Sequence, residues 1–435
     1  MKKLYSLYII TIAFVSSTAF SQSILTVDDA IKMGLGKNFN VLIAKNNQEI
    51  AKVQNNIGAA GMSPSVTVNG NLNLATLNSH QEFNTGVVQD KNGAQSNTSG
   101  ASINAYWTIF DGLRMFAIKK RLNENEQLSA VYLKQQMENT TYDIIAAYYN
   151  IVKTDALIKA AKQNLEIYEE RKKIAQLKLQ IGSDSKVDLL LSQSDYNKAK
   201  SSIIQLELDL LNAKTQLNQL ISQPIDTDFK TTDSIIVNYN PTYEDLKKSS
   251  ISTNSAIQIS KQSELIAQQR IKEYRANNLP LIQLNGSYTF LRSQSQAGIV
   301  FLNRQTGLNG GVTASWLLFN GMKNQKLIKE ANLVTLNQRY ITQQTEQLVD
   351  ASVFVNFKSF QMNKQIVDLE TQNLADSKQV QVVSLERYKI GKASLLETIE
   401  TQKNLEDAQV RYINALYAIK LAETELLRTN GALVK

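Results

Sequence analysis

Very few side chains in this sequence could carry out catalysis or bind a metal. The 435 residues include one histidine, His80, and no cysteine. No Ser/His/Asp set, metal-ligand cluster or glycine-rich phosphate loop is present, and a single histidine makes most such schemes impossible. His80 falls within residues 78–100, which are rich in Asn, Ser, Gln and Gly and predict a solvated loop. The sequence therefore predicts no enzyme, no cofactor and no bound metal.

The most informative acidic residues follow a glycine and a hydroxyl residue. Asp188 stands three residues after Ser185, and Glu397 stands three residues after Ser394. This spacing is typical of a capping box, in which the hydroxyl caps a new helix and the acid bonds back to it. A glycine just before suits the left-handed position that ends the preceding helix. The two predicted helical-hairpin tips are Ile181-Gly182-Ser183-Asp184-Ser185 and Ile390-Gly391-Lys392-Ala393-Ser394.

The two tips belong to an internal repeat. Gly182 and Gly391 lie 209 residues apart (391 − 182), and so do the only two tryptophans, Trp107 and Trp316 (316 − 107). The tryptophans begin matching segments, Trp-Thr-Ile-Phe-Asp-Gly and Trp-Leu-Leu-Phe-Asn-Gly. A fixed separation of this kind indicates duplicated structural units.

Each repeat contains two stretches that alternate between apolar and polar residues, which predicts strands with one apolar and one polar face. The predicted strands are at about 65–77, 101–110, 281–291 and 308–319. Their length and alternation are typical of transmembrane β-strands, and their Trp and Tyr residues stand where interface girdles would lie.

Long helical stretches follow the strands and surround the tips. The first runs from Gly112 to Ile181, about 70 residues, which at 1.5 Å per residue spans roughly 100 Å. After each tip, small and apolar residues recur every three or four positions for about four heptads, which predicts a coiled coil. All four prolines fall at predicted element boundaries or in the linker.

The N-terminus predicts export. Met1-Lys2-Lys3 is followed by an apolar run and by small residues before a predicted cut after Ser21, the pattern of a signal peptide. No later stretch has the roughly 18 apolar residues of a membrane helix. The formal charge of +8 is spread thinly, without a Lys/Arg-rich cluster, which argues against a nucleic-acid partner.

The predicted domains follow the repeat. They are a signal peptide at residues 1–21, a first repeat at 22–221, a linker at 222–242, a second repeat at 243–431 and a tail at 432–435.

Four amphipathic strands cannot close a barrel, because about eight are needed. Open edges cannot stand in lipid, where every backbone polar group must be paired. The strands must therefore combine with those of other copies, as about eight strands in a dimer or twelve in a trimer. The physical argument alone leaves both numbers open.

The order and twofold recurrence of these features resemble the outer-membrane efflux protein (TolC-like) family over essentially the whole mature chain. The shared features are the signal peptide, the helix–strand–strand–helix–tip–helix units, the Trp-x-x-Phe-Asp/Asn-Gly turns and the segment from Tyr388 to Ser394. The resemblance implies a mainly α-helical fold with a trimeric β-barrel and a periplasmic helical tunnel. It also implies a passive exit duct for efflux or type I secretion in the outer membrane, docked to a periplasmic adaptor and served by an inner-membrane pump.

The resemblance also assigns residues. The tip residues match the family's adaptor-docking motif; they are Ile181, Gly182, Ser183, Ser185, Ile390, Gly391, Lys392 and Ser394. Four positions match the family's constricted periplasmic aperture; they are Asp188, Tyr388, Glu397 and Glu400. The family's arginine after the second tip glycine falls on Ala393 here, so that closing link is absent or moved to Lys392.

Simpler structural roles stand beside these assignments. Asp188 and Glu397 also fit helix capping, and the tip glycines also fit plain helix–turn–helix connections. Trp107 and Trp316 are predicted barrel interface anchors or ordinary packing aromatics. The alternative function is a structural or adaptor-type coiled-coil protein of the periplasm, which would have no need of lipid-facing strands.

Overall fold

The computed structural model describes residues 24–183, 185–232 and 234–434. The predicted signal peptide, residues 1–21, lies outside the described residues. The elements are α1 Val27–Lys37, α2 Phe39–Gln54, β1 Ser65–Glu82, β2 Val88–Phe110, α3 Arg114–Gln180, α4 Lys186–Leu220, α5 Tyr243–Thr253, α6 Ser255–Ala276, β3 Leu281–Ser295, β4 Leu302–Ser315, α7 Lys323–Lys389 and α8 Leu395–Thr429.

The element lengths confirm the duplication. Helices α3 and α7 both have 67 residues, and α4 and α8 both have 35. The predicted fold class, mainly helical with four strands, is confirmed. None of the helices within the described ranges combines the length and the apolar character that crossing a membrane requires.

The four strands form one antiparallel sheet in the order β1-β2-β3-β4. Directly paired residues share a face, and successive residues alternate between faces. One cross-strand row is Val68, Ile103, Tyr288 and Leu308, and the adjacent row on the other face is Thr67, Asn104, Ser287 and Asn309. The predicted division into an apolar and a polar face is therefore confirmed across all four strands. The apolar face is uncovered, with Leu308 82% exposed.

The loop predicted around His80 is wrong. Strand β1 continues to Glu82 and β2 begins at Val88, and His80 pairs with Asp90 directly across the ribbon, its Nδ1 contacting the carboxylate. The polar composition suggested a loop, but Asn, Ser and Gln are also tolerated in an extended β-ribbon, where the backbone groups pair across the strands. A register shift between Leu77 and Ser79 accommodates the irregular stretch.

The bounds of the second strand pair also differ from the sequence prediction, because β3 continues to Ser295 instead of 291 and β4 begins at Leu302 instead of 308. Strand β4 ends at Ser315 and not at 319, so Trp316 stands just beyond the strand. Helices α1 and α2 are separated at Asn38, whose backbone is extended and whose side-chain amide donates to the Leu220 carbonyl at 2.8 Å. A long-range contact thus divides a stretch of uniformly helical composition into α1 and α2.

The chain forms two compact units, each of which combines segments of both repeats. The first unit contains residues up to Asn38, Thr140–Tyr239 and Ser359–Thr424. At its centre, the buried Tyr148 hydroxyl donates to the Leu25 carbonyl at 2.8 Å. The second unit contains Phe39–Asn139, Asn240–Lys358 and the residues from Glu425 onward, and it includes the whole sheet.

The predicted coiled-coil seams are buried or half-buried along their length. On α4, Ser192, Ile203, Ala213 and Leu217 are inaccessible or nearly so. On α8 the corresponding buried residues are Leu405, Ala408, Ala415, Ile419 and Leu426. The regular spacing of three and four confirms that each post-tip helix packs along one continuous face.

Candidate functional site: the hairpin tips and the amphipathic sheet

Both tips end their first helix with the same hydrogen-bond pattern. At the first tip, Gly182 N–H donates to the Leu179 carbonyl (3.1 Å) and Ser183 N–H to the Lys178 carbonyl (2.8 Å). At the second, Gly391 N–H donates to Tyr388 (3.1 Å) and Lys392 N–H to Arg387 (2.8 Å). This is the Schellman arrangement, which requires a left-handed residue. Both glycines supply it, with φ of 75° and 73°.

The restart of the helices differs between the tips. Ser185 and Asp188 form a complete capping box, because each side chain accepts from the backbone N–H of the other. At the second tip the Ser394 hydroxyl accepts from Glu397 N–H at 3.1 Å. The Glu397 carboxylate, however, accepts from the Arg387 guanidinium at 2.7 Å.

The predicted docking residues lie on the surface. Ile181 is 79% exposed and Ile390, at the equivalent position of the other repeat, is 66% exposed. Gly182, Ser183, Ser185, Gly391, Lys392 and Ser394 are exposed as well. Each tip therefore presents one large apolar side chain beside small and polar groups.

The predicted aperture residues do not share one environment. Tyr388 is fully buried, and the Lys178 ammonium lies 3.9 Å from the centre of its ring. Asp188 is engaged in its capping box and Glu397 in its pair with Arg387. Glu400 is exposed and, within the residues described, its carboxylate has neither a hydrogen bond nor an ion pair. Of the three predicted acidic residues, Glu400 is the one with an unengaged charge.

Lysine and arginine residues that the sequence did not single out hold the second tip. Lys389 bridges Glu170 on α3 (2.6 Å) and Glu386 on its own helix (2.7 Å). These two hydrogen-bonded carboxylates raise the pKa of Lys389 above its usual value. Arg387 also donates to the Lys392 carbonyl at 3.2 Å. The Arg387 guanidinium thus joins the end of α7 to the turn that follows Gly391 and to the start of α8.

A buried ionic cluster lies deeper in the same unit. The Arg171 guanidinium is fully buried, contacts the Asp195 carboxylate on α4 and donates to Gln402 Oε1 on α8 at 3.0 Å. Burial raises the pKa of the nearby Glu406 carboxyl, although the neighbouring Tyr168 hydroxyl and the charge of Arg171 oppose that rise. The cluster joins α3, α4 and α8.

The tryptophans occupy equivalent positions at the helical end of the sheet. The Trp107 indole N–H donates to the Met62 carbonyl at 2.8 Å, and the Trp316 indole N–H donates to the Asn278 carbonyl at 2.9 Å. Each acceptor stands two residues before a proline. Both indole rings remain exposed while their polar atoms are satisfied, an arrangement typical of aromatic residues at a membrane–water interface.

The chain combines an internal duplication, long helical hairpins and an open sheet that is apolar on one face. This combination is typical of membrane channels with a helical tunnel. The sequence profile of the outer membrane efflux protein family matches residues 30–223 and 248–432, and the chain therefore belongs to that family. The predicted family and the outer-membrane location are thus confirmed, and the channel interpretation is favoured over a periplasmic coiled-coil adaptor. The family is one of channels and not of enzymes.

Individual relatives are distant in sequence and similar in fold. The chain is 19% identical over 300 residues to the outer membrane efflux protein BepC of Brucella suis, a match that spans 69% of this chain and 64% of that relative. The CmeC outer membrane channel of Campylobacter jejuni superposes with a TM-score of 0.79 at 16% identity, covering 93% of this chain and 85% of CmeC. The open-state MtrE channel of Neisseria gonorrhoeae gives 0.74 at 17% identity, covering 94% and 89%.

Proposed function

We propose that this chain is the subunit of a passive exit duct in the outer membrane, serving a tripartite efflux or type I secretion system. The observation that carries this proposal is the sheet. It has an uncovered apolar face, a polar face and two outer strands, β1 and β4, whose outer edges are unpaired within the described residues. Such a sheet is stable in lipid only when further strands pair with both edges.

For the number of copies we propose three, as the family resemblance implies. Three chains with four strands each supply about twelve strands, which close a barrel with the apolar face toward lipid and the polar face toward the lumen. We infer a homotrimer whose long helices form a tunnel in the periplasm. The lumen rows rich in Asn, Ser and Thr suit an aqueous passage.

We infer that the tips dock to a periplasmic adaptor protein, through which the duct is connected to an inner-membrane pump. Exposed Ile181 and Ile390 supply apolar contacts at equivalent positions. The Schellman turns hold them in the same conformation at both tips. A repeated, rigid motif suits an adaptor that presents similar hairpins to both repeats.

We infer that the aperture is governed by charge near the second tip. Glu400 carries an unengaged charge, Glu397 is held by Arg387, Asp188 caps its helix and Tyr388 packs beneath Lys178. Three copies would place at least three unengaged carboxylates around the opening. A ring of carboxylates attracts cations and repels anions.

Planar-bilayer recording of the purified oligomer tests the proposal. We expect ohmic pores that favour cations. Replacing Glu397 and Glu400 by Ala should lower the cation preference, whereas replacing the exposed Asp376 and Asp407 by Ala should change it less. An oligomer without conductance, or mature protein found in the soluble periplasm, would refute the duct. Normal conductance with unchanged selectivity in the Glu397/Glu400 variant would refute only the aperture assignment.

A further inference from the structure

A pocket lies where α3 begins and α6 ends, on the helical side of the sheet. Its volume is about 390 Å³. Its lining combines three basic side chains, Lys120, Lys272 and Arg275, with three apolar ones, Leu113, Phe116 and Leu279. All of them belong to the second compact unit.

The three cations of this pocket are without anionic partners. Lys120, Lys272 and Arg275 are exposed, and none of them forms an ion pair or side-chain hydrogen bond within the described part of the chain. The neighbouring acids are engaged elsewhere. Glu273 is bonded to Arg121 at 2.5 Å, and Asp111 accepts from Met115 N–H at 2.9 Å. The pocket therefore has an uncompensated positive charge.

One wall of the pocket contains a buried polar atom that lacks a partner. Gln269 also lines the pocket and is only 3% exposed, and its Oε1 accepts no hydrogen bond in the described structure. A buried amide oxygen without a donor carries an energetic penalty, because it has lost its hydrogen bonds to water. A ligand with a hydroxyl or ammonium donor would remove that penalty.

The pocket also offers apolar surface directly beside its charges. Leu113 is 56% exposed and Phe116 is 59% exposed, at the start of the helix that follows β2. Leu279 adjoins Asn278, whose carbonyl binds the Trp316 indole at the edge of the apolar face. The pocket therefore lies at the helical end of the sheet, one residue along the chain from the contact with Trp316.

The site is not where another copy is expected to pair. It lies below β2 and β3, the two inner strands, whereas the outer edges of the sheet belong to β1 and β4. The end of α2, which is the equivalent of the end of α6 in the other repeat, lacks the two basic residues that α6 contributes to the pocket. In this part of the repeat, equivalent residues are 216 positions apart, as Pro64 and Pro280 are. The equivalents of Lys272 and Arg275 are therefore Asn56 and Ala59, which are uncharged. The complete basic set is thus a property of this pocket and not of the repeat.

We propose that this pocket binds one anionic glycerophospholipid of the adjoining membrane leaflet. Lys120, Lys272 and Arg275 hold the phosphate, a headgroup hydroxyl donates to Gln269 Oε1, and the acyl chains lie over Leu113, Phe116 and Leu279. Basic residues at a membrane surface attract anionic headgroups, and apolar contact with the chains adds to the binding. The proposal rests on the outer-membrane location and is independent of conductance.

The test uses the purified full-length oligomer in a neutral detergent. Short-chain dihexanoyl-phosphatidylglycerol is titrated by calorimetry, with inorganic phosphate and dihexanoyl-phosphatidylcholine as comparison probes. The variant Lys120→Gln/Lys272→Gln/Arg275→Gln removes three exposed charges. The matched control, Lys323→Gln/Lys326→Gln/Lys329→Gln, removes three charges from the first turns of α7, at the corresponding level of the other repeat.

We expect the pocket variant to bind phosphatidylglycerol about 100-fold more weakly, since each of the three basic residues contributes about a fivefold factor, and the control to stay within about threefold. A second variant, Leu113→Ser/Phe116→Ser, should weaken lipid binding while leaving any phosphate binding unchanged. Equal binding by wild type and pocket variant, or an equal loss in the control, would overturn the site. Equal affinity for inorganic phosphate and phosphatidylglycerol would overturn the lipid as its ligand.

Discussion

At the scale of single residues, Arg171 has the largest energetic requirement, because its charge is buried. Its guanidinium is fully buried, contacts the Asp195 carboxylate and donates to Gln402 Oε1. Removing one partner of a buried ion pair leaves the other charge desolvated and unpaired, which destabilises by about 3–5 kcal/mol. The residue therefore makes the packing of α3 against α4 and α8 depend on a few polar contacts.

We expect Asp195→Ala to lower the free energy of unfolding by about 3 kcal/mol, because it leaves the Arg171 guanidinium without its carboxylate. Denaturant unfolding of the detergent-solubilised oligomer, followed by circular dichroism, measures this. Asp209→Ala on the same helix removes an exposed acid and should stay within about 0.5 kcal/mol of wild type. Equal losses in the two variants would show that the buried pair has no special role.

The raised pKa of Glu406 predicts that the stability of the protein depends on pH. Burial raises its pKa above the ordinary value of 4.5, so the folded state holds the proton more tightly than the unfolded chain. This stabilising contribution is full below the ordinary pKa and is lost as pH rises through the raised one. Glu406→Gln should therefore flatten the decline of Tm that begins as pH rises above the ordinary pKa of 4.5. Asp376→Asn, an exposed change, should leave the slope as in wild type, and an unaltered slope in Glu406→Gln would contradict the assignment.

At the scale of elements, the tips depend on two glycines in the left-handed conformation. A Cβ at Gly182 or Gly391 would meet no atom within 4 Å, so any effect of alanine there is due to the backbone alone. A left-handed alanine is unfavourable by about 1–2 kcal/mol. We expect Gly182→Ala and Gly391→Ala to increase amide hydrogen exchange at their tips about tenfold, which corresponds to about 1.4 kcal/mol.

Gly36→Ala is the matched control for the tips. A Cβ at Gly36 would likewise meet no atom within 4 Å, but this glycine lies inside α1 with an ordinary helical backbone. Alanine should stabilise that helix by roughly 0.5–1 kcal/mol. If the tip variants exchanged as slowly as wild type, the left-handed turns would not determine the tip conformation.

The two tryptophans allow the orientation of the sheet to be tested directly, because the chain contains no others. In the single-tryptophan variants Trp107→Phe and Trp316→Phe, the remaining indole should be quenched strongly by phospholipids brominated near the headgroup. Lipids brominated at the chain end should quench it less, because interface aromatics lie at headgroup level. Quenching by aqueous iodide alone would place both residues away from lipid and refute their role as anchors.

The sequence predicted the elements well where a single period governs a long stretch. The seam from Ser192 to Leu217, the capping box at Ser185 and the alternation of β1 were all readable, because each depends on neighbours in the chain. The ribbon containing His80 was not, since its strand conformation comes from pairing with residues 88–95. The break at Asn38 depends on Leu220, far away in sequence.

The same limit, that contacts between residues distant in sequence cannot be predicted from local patterns, applies to the candidate sites. Spacing identified the tip glycines and the acids, but it could not show that Glu397 is neutralised by Arg387 while Glu400 is unengaged. Arg171 and Lys389 were missed because a single basic residue within a helix gives no local signal of burial or of a partner on another helix. Pairing between helices decides which charges are free.

At the scale of the whole molecule, the open sheet is the reason for assembly. In the described chain, strands β1 and β4 each leave one row of backbone groups unpaired along their outer edge. In lipid each unpaired group is unfavourable by several kcal/mol, so the isolated chain cannot remain inserted. Closure also separates the two faces, because the polar rows become a lumen only when the sheet returns on itself.

Cysteine cross-linking tests both closure and copy number. The chain has no cysteine of its own, so an engineered pair reports only the intended edge contact. Thr67→Cys, Asn69→Cys or Asn71→Cys on β1, each combined with Asn309→Cys on β4, samples the neighbouring registers on the polar face. After oxidation in outer-membrane vesicles, one pair should give covalent dimers and trimers and nothing larger, because three copies close the ring.

The single variants should give no trimer. A ladder ending at dimers would indicate a barrel of about eight strands, and cross-links within one chain would mean that β1 meets its own β4 and that no other copy is needed.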